Sequence, residues 1–170
     1  NRHRGAVKGI AYMEAIVQPI ESWRSWPKSA VETFQAFRSS AGEKMVLERN
    51  MFVEAVLPSA IIRQLTDEEM DEYRRPFLHR GEDRRPTLTW PRQIPIAGQP
   101  EEVVEIVESY AKWMAENNLP KLLVNADPRA ILRREPLEFC RTWKNQSEVT
   151  VPGIHFIQED SPDEIGHALK

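Results

Sequence analysis

Residues 121–126 read KLLVNA, and their apolar positions follow one another without a polar partner face. A run this short and this continuous predicts a strand buried on both faces, the environment of a parallel sheet covered by helices. Residues 7–14, VKGIAYME, repeat the pattern, and residues 148–151, EVTV, form a third, β-branched candidate. A helix is expected over residues 135–142, between the second and third strands. After the third strand comes Ser161-Pro162-Asp163-Glu164. Serine at the N-cap, proline at the first helical position and a glutamate at the third predict a capped helix start. The last third therefore reads strand, helix, strand, helix, which is the α/β pattern.

The middle of the chain differs. Between residues 30 and 116 the spacing predicts helices and no strand. Thr66-Asp67-Glu68-Glu69 is a capping box, opening a helix that runs toward Tyr73 and stops before Pro76. Residues 42–56 carry Met45, Val46, Phe52, Val53 and Val56 at mainly helical spacing. Residues 101–116 put Val103, Val104, Val107, Ala111 and Met114 on one side, as a helix packed on the sheet would. Residues 84–98 hold Trp90 among prolines and read as a long loop. The expected organisation is an α/β core over residues 1–20, a helical cap with its return loop over residues 21–98, and the rest of the core over residues 99–170. A helical insertion above the carboxyl ends of parallel strands makes a lid over a ligand crevice. Three strands under so large a lid leave an apolar sheet edge unpaired. The stretch Asn1-Arg2-His3-Arg4 resembles the end of a helix whose start is missing. Further strands are therefore expected from an N-terminal part, or from a second copy by domain swapping.

Composition narrows the function classes. With 170 residues, 41% of them apolar and 29% charged, the chain is ordinary globular material with a core of useful size. Its net charge of −3 is built from interspersed signs, with no basic block for a phosphate backbone, so nucleic acid is not an expected partner. No apolar run approaches the roughly 20 residues of a membrane span, and no signal-type stretch follows Asn1, so the expected compartment is the cytoplasm. The single cysteine, Cys140, rules out an internal disulfide and offers no thiol pair for a metal. No metal and no cofactor are expected.

Of the four histidines, His3, His79 and His167 lie in polar surroundings. His155, in Gly153-Ile154-His155-Phe156, sits just past a strand and before a helix, where a general base faces a crevice. Such a base needs a carboxylate to fix its tautomer. Glu14 closes the first strand and Asp127 follows the second, and both are candidates. The order acid then histidine suits the Ser…Asp/Glu…His order of α/β-hydrolases with the first member absent. None of the seven glycines builds a nucleophile elbow: Gly5-Ala6-Val7-Lys8-Gly9 has the spacing but valine at its centre.

Around these residues the chain resembles the haloalkane dehalogenases over its whole length. The matching strings are GIAYMEAI around Glu14, FQAFRS at 34–39, RRPTLTWPRQIPIAG at 84–98, FCRTW at 139–143 and HFIQEDSPDEIG at 155–166. The resemblance implies the subgroup with glutamate as acid, which favours Glu14 over Asp127 and makes His155 the base. It implies an aspartate nucleophile and halide-binding tryptophan and asparagine residues upstream of Asn1. The substrate implied is a small halogenated alkane, with halide ion as a product. Phe34, Phe52, Val56, Ala60, Pro91, Ala130 and Ile131 are implied to line the pocket or its tunnel, with Arg129 where a small residue is usual. Residues 20–23, IESW, the Trp26-Pro27 pair and residues 42–48, GEKMVLE, are more similar to coelenterazine-using luciferases of the sea-pansy type. The chain mixes both groups, as a sequence near their common ancestor would, and a monooxygenase fragment is the alternative reading.

Overall fold

The computed structural model describes residues 3–170. The helix end expected at Asn1–Arg4 begins outside the described residues; Arg4–Ala6 form a 3-10 turn. Strands β1 (Ile10–Met13), β2 (Lys121–Pro128) and β3 (Gln146–Gly153) make a parallel sheet in the order β1-β2-β3. Ile10 pairs with Lys121, and Lys121 pairs in turn with Gln146.

β2 is the central strand, and its side chains alternate between two cores, as pleating requires. Leu123 joins Val17, Met114, Leu137, Cys140 and Trp143 on one face. Val124 and Ala126 join Val151, Ile157 and Ile165 on the other. The helices α5 (Glu101–Glu116) and α6 (Glu135–Arg141) cover the first face. The helices α7 (Ile157–Asp160) and α8 (Pro162–Ala168) cover the second. On α5 the buried positions are Val107, Ala111 and Met114, the inner part of the predicted stripe.

The strands differ in extent from the sequence expectation. β1 is shorter because Glu14, directly after Met13, turns to φ 39° and leaves the ladder. β3 is longer and includes Pro152, which is tolerated because β3 has one neighbour and needs no amide on its other side. The expected cap of α8 is not formed. Ser161 is buried, and its hydroxyl donates to the Pro152 carbonyl at 2.8 Å instead of accepting from the helix. A buried hydroxyl takes the acceptor that needs it, and here that is the strand end.

Between β1 and β2 the described regular elements are helical. They include α1 (Val31–Arg38), the short α2 (Leu57–Ser59), α3 (Asp67–Arg74) and α4 (Arg85–Arg92). The capping box of α3 is complete: Glu69 N–H donates to the Thr66 hydroxyl, and Thr66 N–H donates to the Glu69 carboxylate at 2.8 Å. α3 ends at Arg74, and Pro76 falls in a tighter turn, Arg75–Phe77. The 42–56 segment is two wide-turn π-helices, Glu43–Glu48 and Phe52–Val56, interrupted at Asn50 with φ 54°. The loop expected over residues 84–98 is corrected: it contains α4. Pro86 sits in the first turn, where its missing N–H costs nothing, and Pro91 lies inside the helix, where it removes one N–H from the ladder just before the helix ends at Arg92.

Candidate active site

Glu14 and His155 are 141 positions apart in sequence and meet where β1 and β3 end. Two local features bring them there. A Cβ on Gly153 would lie 2.6 Å from Ile157 Cγ2, so only glycine lets the chain fold back tightly after β3. The φ of 39° at Glu14 is the left-handed region, which a non-glycine residue occupies at a cost of about 1–3 kcal/mol. That turn aims its carboxylate beneath the loop that follows β2.

The loop meets it with backbone amides. Ala130 N–H and Ile131 N–H donate to Glu14 Oε2 at 3.0 and 2.7 Å, and Leu132 N–H donates to Oε1 at 3.4 Å. Oε2 also stands 3.3 Å from His155 Nδ1. Three backbone amides converge on one carboxylate and hold it in place. Where the carboxylate accepts in this contact, Nδ1 is the donor, and in that neutral tautomer Nε2 carries no proton. The Glu14 side chain is 2% exposed and that of His155 is 20% exposed, so solutes reach the imidazole and not the acid.

His155 is held from the lid. His155 N–H and Phe156 N–H both donate to the Ala60 carbonyl, at 3.1 and 3.2 Å. The His155 ring stands edge-on to the Phe156 ring, centroids 5.0 Å apart. Phe156 in turn packs on Val53, Leu57, Ile61, Leu65 and Met70 of the lid.

The other sequence candidates are placed as follows. Asp127 is exposed on β2 opposite Pro152, and it is Glu14 that meets the histidine. Phe34, Phe52, Val56 and Ile131 pack in one cluster with Trp26, Ile94 and Ile96. Pro91 is fully buried in α4. Ala60 and Ala130 touch the site through backbone groups, as acceptor for the histidine loop and donor to Glu14. Arg129 folds back on β2, its Nε donating to the Ala126 carbonyl at 2.9 Å. Sequence reasoning missed the amide cradle of residues 130–132. A cavity of about 420 Å³ lies between residues 15–27 and 131–136; of the seven implied lining residues it touches Ile131 alone. Ile131 bridges that cavity to the Glu14 carboxylate through its amide. Among the described residues no cluster of histidine, cysteine or carboxylate groups suits a metal.

Parallel strands with helices on both faces, an inserted helical lid and an acid and a histidine at the strand ends define the C-terminal part of an α/β-hydrolase fold. Within that class the chain is similar to the haloalkane dehalogenases. It is 60% identical over 168 residues to the haloalkane dehalogenase of Sphingobium indicum, covering 99% of this chain and 56% of that protein. It is 44% identical over 171 residues to the coelenterazine h 2-monooxygenase of Renilla reniformis, covering 54% of it. The crystal structure of the haloalkane dehalogenase DbeA from Bradyrhizobium elkani matches with a TM-score of 0.93 at 40% identity, over 99% of this chain and 59% of that one. An ancestral haloalkane dehalogenase matches with the same TM-score at 41% identity, over 99% of this chain and 60% of that one. The chain spans about half the length of the curated relatives it matches. No family model matches the sequence.

Proposed function

We propose that this chain carries the acid–base half of a haloalkane dehalogenase site, with His155 as general base and Glu14 as the acid that orients it. In this reading an aspartate displaces halide from carbon and forms an alkyl ester. A water then attacks the ester carbonyl while His155 Nε2 takes its proton, and Glu14 stabilises the imidazolium. The proton passes to the departing alkoxide, releasing the alcohol and freeing the aspartate. The observation that carries the reading is the 3.3 Å approach of His155 Nδ1 to a carboxylate already held by backbone amides.

The aspartate is proposed to come from an N-terminal part of the same protein or from a second copy, and the substrate to be a small halogenated alkane. Phe34, Phe52, Val56, Ala60, Pro91, Ala130 and Ile131 are proposed as its walls, and the cytoplasm as the compartment. Identity of 60% with a haloalkane dehalogenase against 44% with the Renilla monooxygenase favours hydrolysis over oxygenation.

The test mixes this chain with the remaining N-terminal part of the Sphingobium relative and follows bromide from a bromoalkane. Bromide is expected only when both parts are present, at a rate reduced roughly 100-fold or more by Glu14→Gln. Bromide release by the 170-residue chain alone would overturn the assignment of the nucleophile to another segment. Light from coelenterazine without bromide would favour the monooxygenase reading.

A further inference from the structure

The acid and the base are anchored to different parts of the molecule. Glu14 is gripped by the loop after β2, which belongs to the sheet. His155 precedes α7, a helix of four residues that is too short to hold itself. What holds α7 is the lid. The Asp160 carboxylate accepts from Ile62 N–H and Arg63 N–H, each at 3.0 Å. Arg63 Nε donates to the Glu159 carbonyl at 2.7 Å, and its Nη2 to Glu159 Oε2 at 2.6 Å. The same guanidinium reaches Glu69 on α3 at 2.8 and 2.7 Å. The Tyr73 hydroxyl donates to Glu159 Oε1 at 2.5 Å. Burial and that carboxylate push the Tyr73 phenol up to about 12, so it stays a donor at any working pH.

Glu159 therefore has both oxygens occupied by lid residues, and Arg63 uses all three nitrogens to tie α3 to α7. With the Ala60 carbonyl, this network determines where the histidine backbone sits. We propose that Arg63 and Glu159 are positioning residues: they seat the His155 loop so that Nδ1 reaches Glu14, coupling the seating of the lid to the acid–base pair. The proposal rests on the reading of His155 and Glu14 as base and acid. A displacement of about 1 Å separates a productive geometry from a poor one. A lid released from α7 would leave Glu14 in its cradle and carry His155 away from it.

Nitrogen-15 NMR of the His155 ring in the full 170-residue chain tests this without turnover. Its observables are the share of neutral ring protonated at Nδ1 and the solvent exchange rate of that proton. In the parent the Nδ1–H form is expected to dominate. Arg63→Met is expected to raise the Nε2–H share several-fold and speed Nδ1 proton exchange about tenfold. Arg63→Lys, which reaches one carboxylate but not both, is expected to fall between. Tyr73→Phe shifts both signals in the same direction by less. Thr66→Ala, which removes the α3 cap and leaves the Arg63–Glu159 contact, is expected to lower stability without moving the His155 signals.

A folded Arg63→Met protein with unchanged His155 tautomer and exchange would overturn the proposal. If Arg63→Met does not fold, unchanged signals in both Arg63→Lys and Tyr73→Phe would overturn it equally. Glu14→Gln separates the two levels of inference. Signals that ignore Glu14→Gln contradict the acid–base pairing itself. Signals that respond to Glu14→Gln but not to Arg63 contradict the positioning role alone.

Discussion

Glu14→Ala removes the acceptor from three amides at once, and the geometry says how much that costs. The bonds from Ala130 and Ile131, at 3.0 and 2.7 Å, are ordinary charge-assisted hydrogen bonds, while the 3.4 Å contact from Leu132 is weak. A buried donor left without a partner costs about 1–3 kcal/mol. Two such donors dominate, and removal of a buried carboxylate's desolvation penalty returns part of the loss. Alanine gains nothing from the φ of 39°, which strains it as it strains glutamate. The net expectation is about 3–5 kcal/mol of destabilisation, a large fraction of the ~5–15 kcal/mol typical of a domain. Glu14→Gln keeps one oxygen for the two short bonds and is expected to cost about 1–2 kcal/mol. Urea denaturation at equal m-value measures both changes. Hydrogen exchange at residues 130–132 locates them, with protection expected to fall most in Glu14→Ala. Stability within 1 kcal/mol of the parent, with those three amides still protected, would refute the amide-cradle account.

Three further outcomes follow from other parts of the structure. Gly153→Ala pushes a Cβ to 2.6 Å from Ile157 Cγ2, so it is expected to cost about 1–3 kcal/mol, and to cost less in an Ile157→Ala background when a double-mutant cycle is run on thermal melts. Arg63, and then the Thr66 amide, hold the Glu69 carboxyl down at about 2, below the ordinary carboxylate range. The folded state thus favours the ionised form: its contribution is present above about pH 5 and is lost as pH falls toward 2, so the gap in melting temperature between parent and Glu69→Gln should close over that interval. Burial pushes the Cys140 thiol up, so iodoacetamide should label it far more slowly in the native chain than in urea, and equal rates would contradict its core position.

Much of the fold is legible in local sequence pattern. β2 announces itself because a strand with cores on both faces must be apolar on successive residues. The α3 capping box is local chemistry and forms as written. α4 is hidden because its prolines read as breakers, although Pro86 lies in the first turn, where it is tolerated, and Pro91 falls one residue before the helix ends. Ser161 has the right spacing for a cap, but the nearby Pro152 carbonyl claims its hydroxyl, a competition invisible along the chain.

The site divides in the same way. The strand-end positions of Glu14 and His155 are readable from pattern, and the resemblance to known proteins chooses Glu14 over Asp127. The amide cradle is not readable, because it depends on left-handed backbone at Arg129, φ 61°, where no glycine marks the turn. The Arg63–Glu159 contact joins residues 96 positions apart through ordinary charged side chains, and nothing local distinguishes them from solvated ones.

The most direct test of the acid–base assignment is a burst experiment on the assembled protein, this chain together with the N-terminal part, carrying His155→Gln. With a bromoalkane in excess, the account predicts one bromide per site, a stable alkyl ester visible as added mass on an aspartate, and no alcohol. Sustained bromide and alcohol release at the parent rate would show that His155 is not the base.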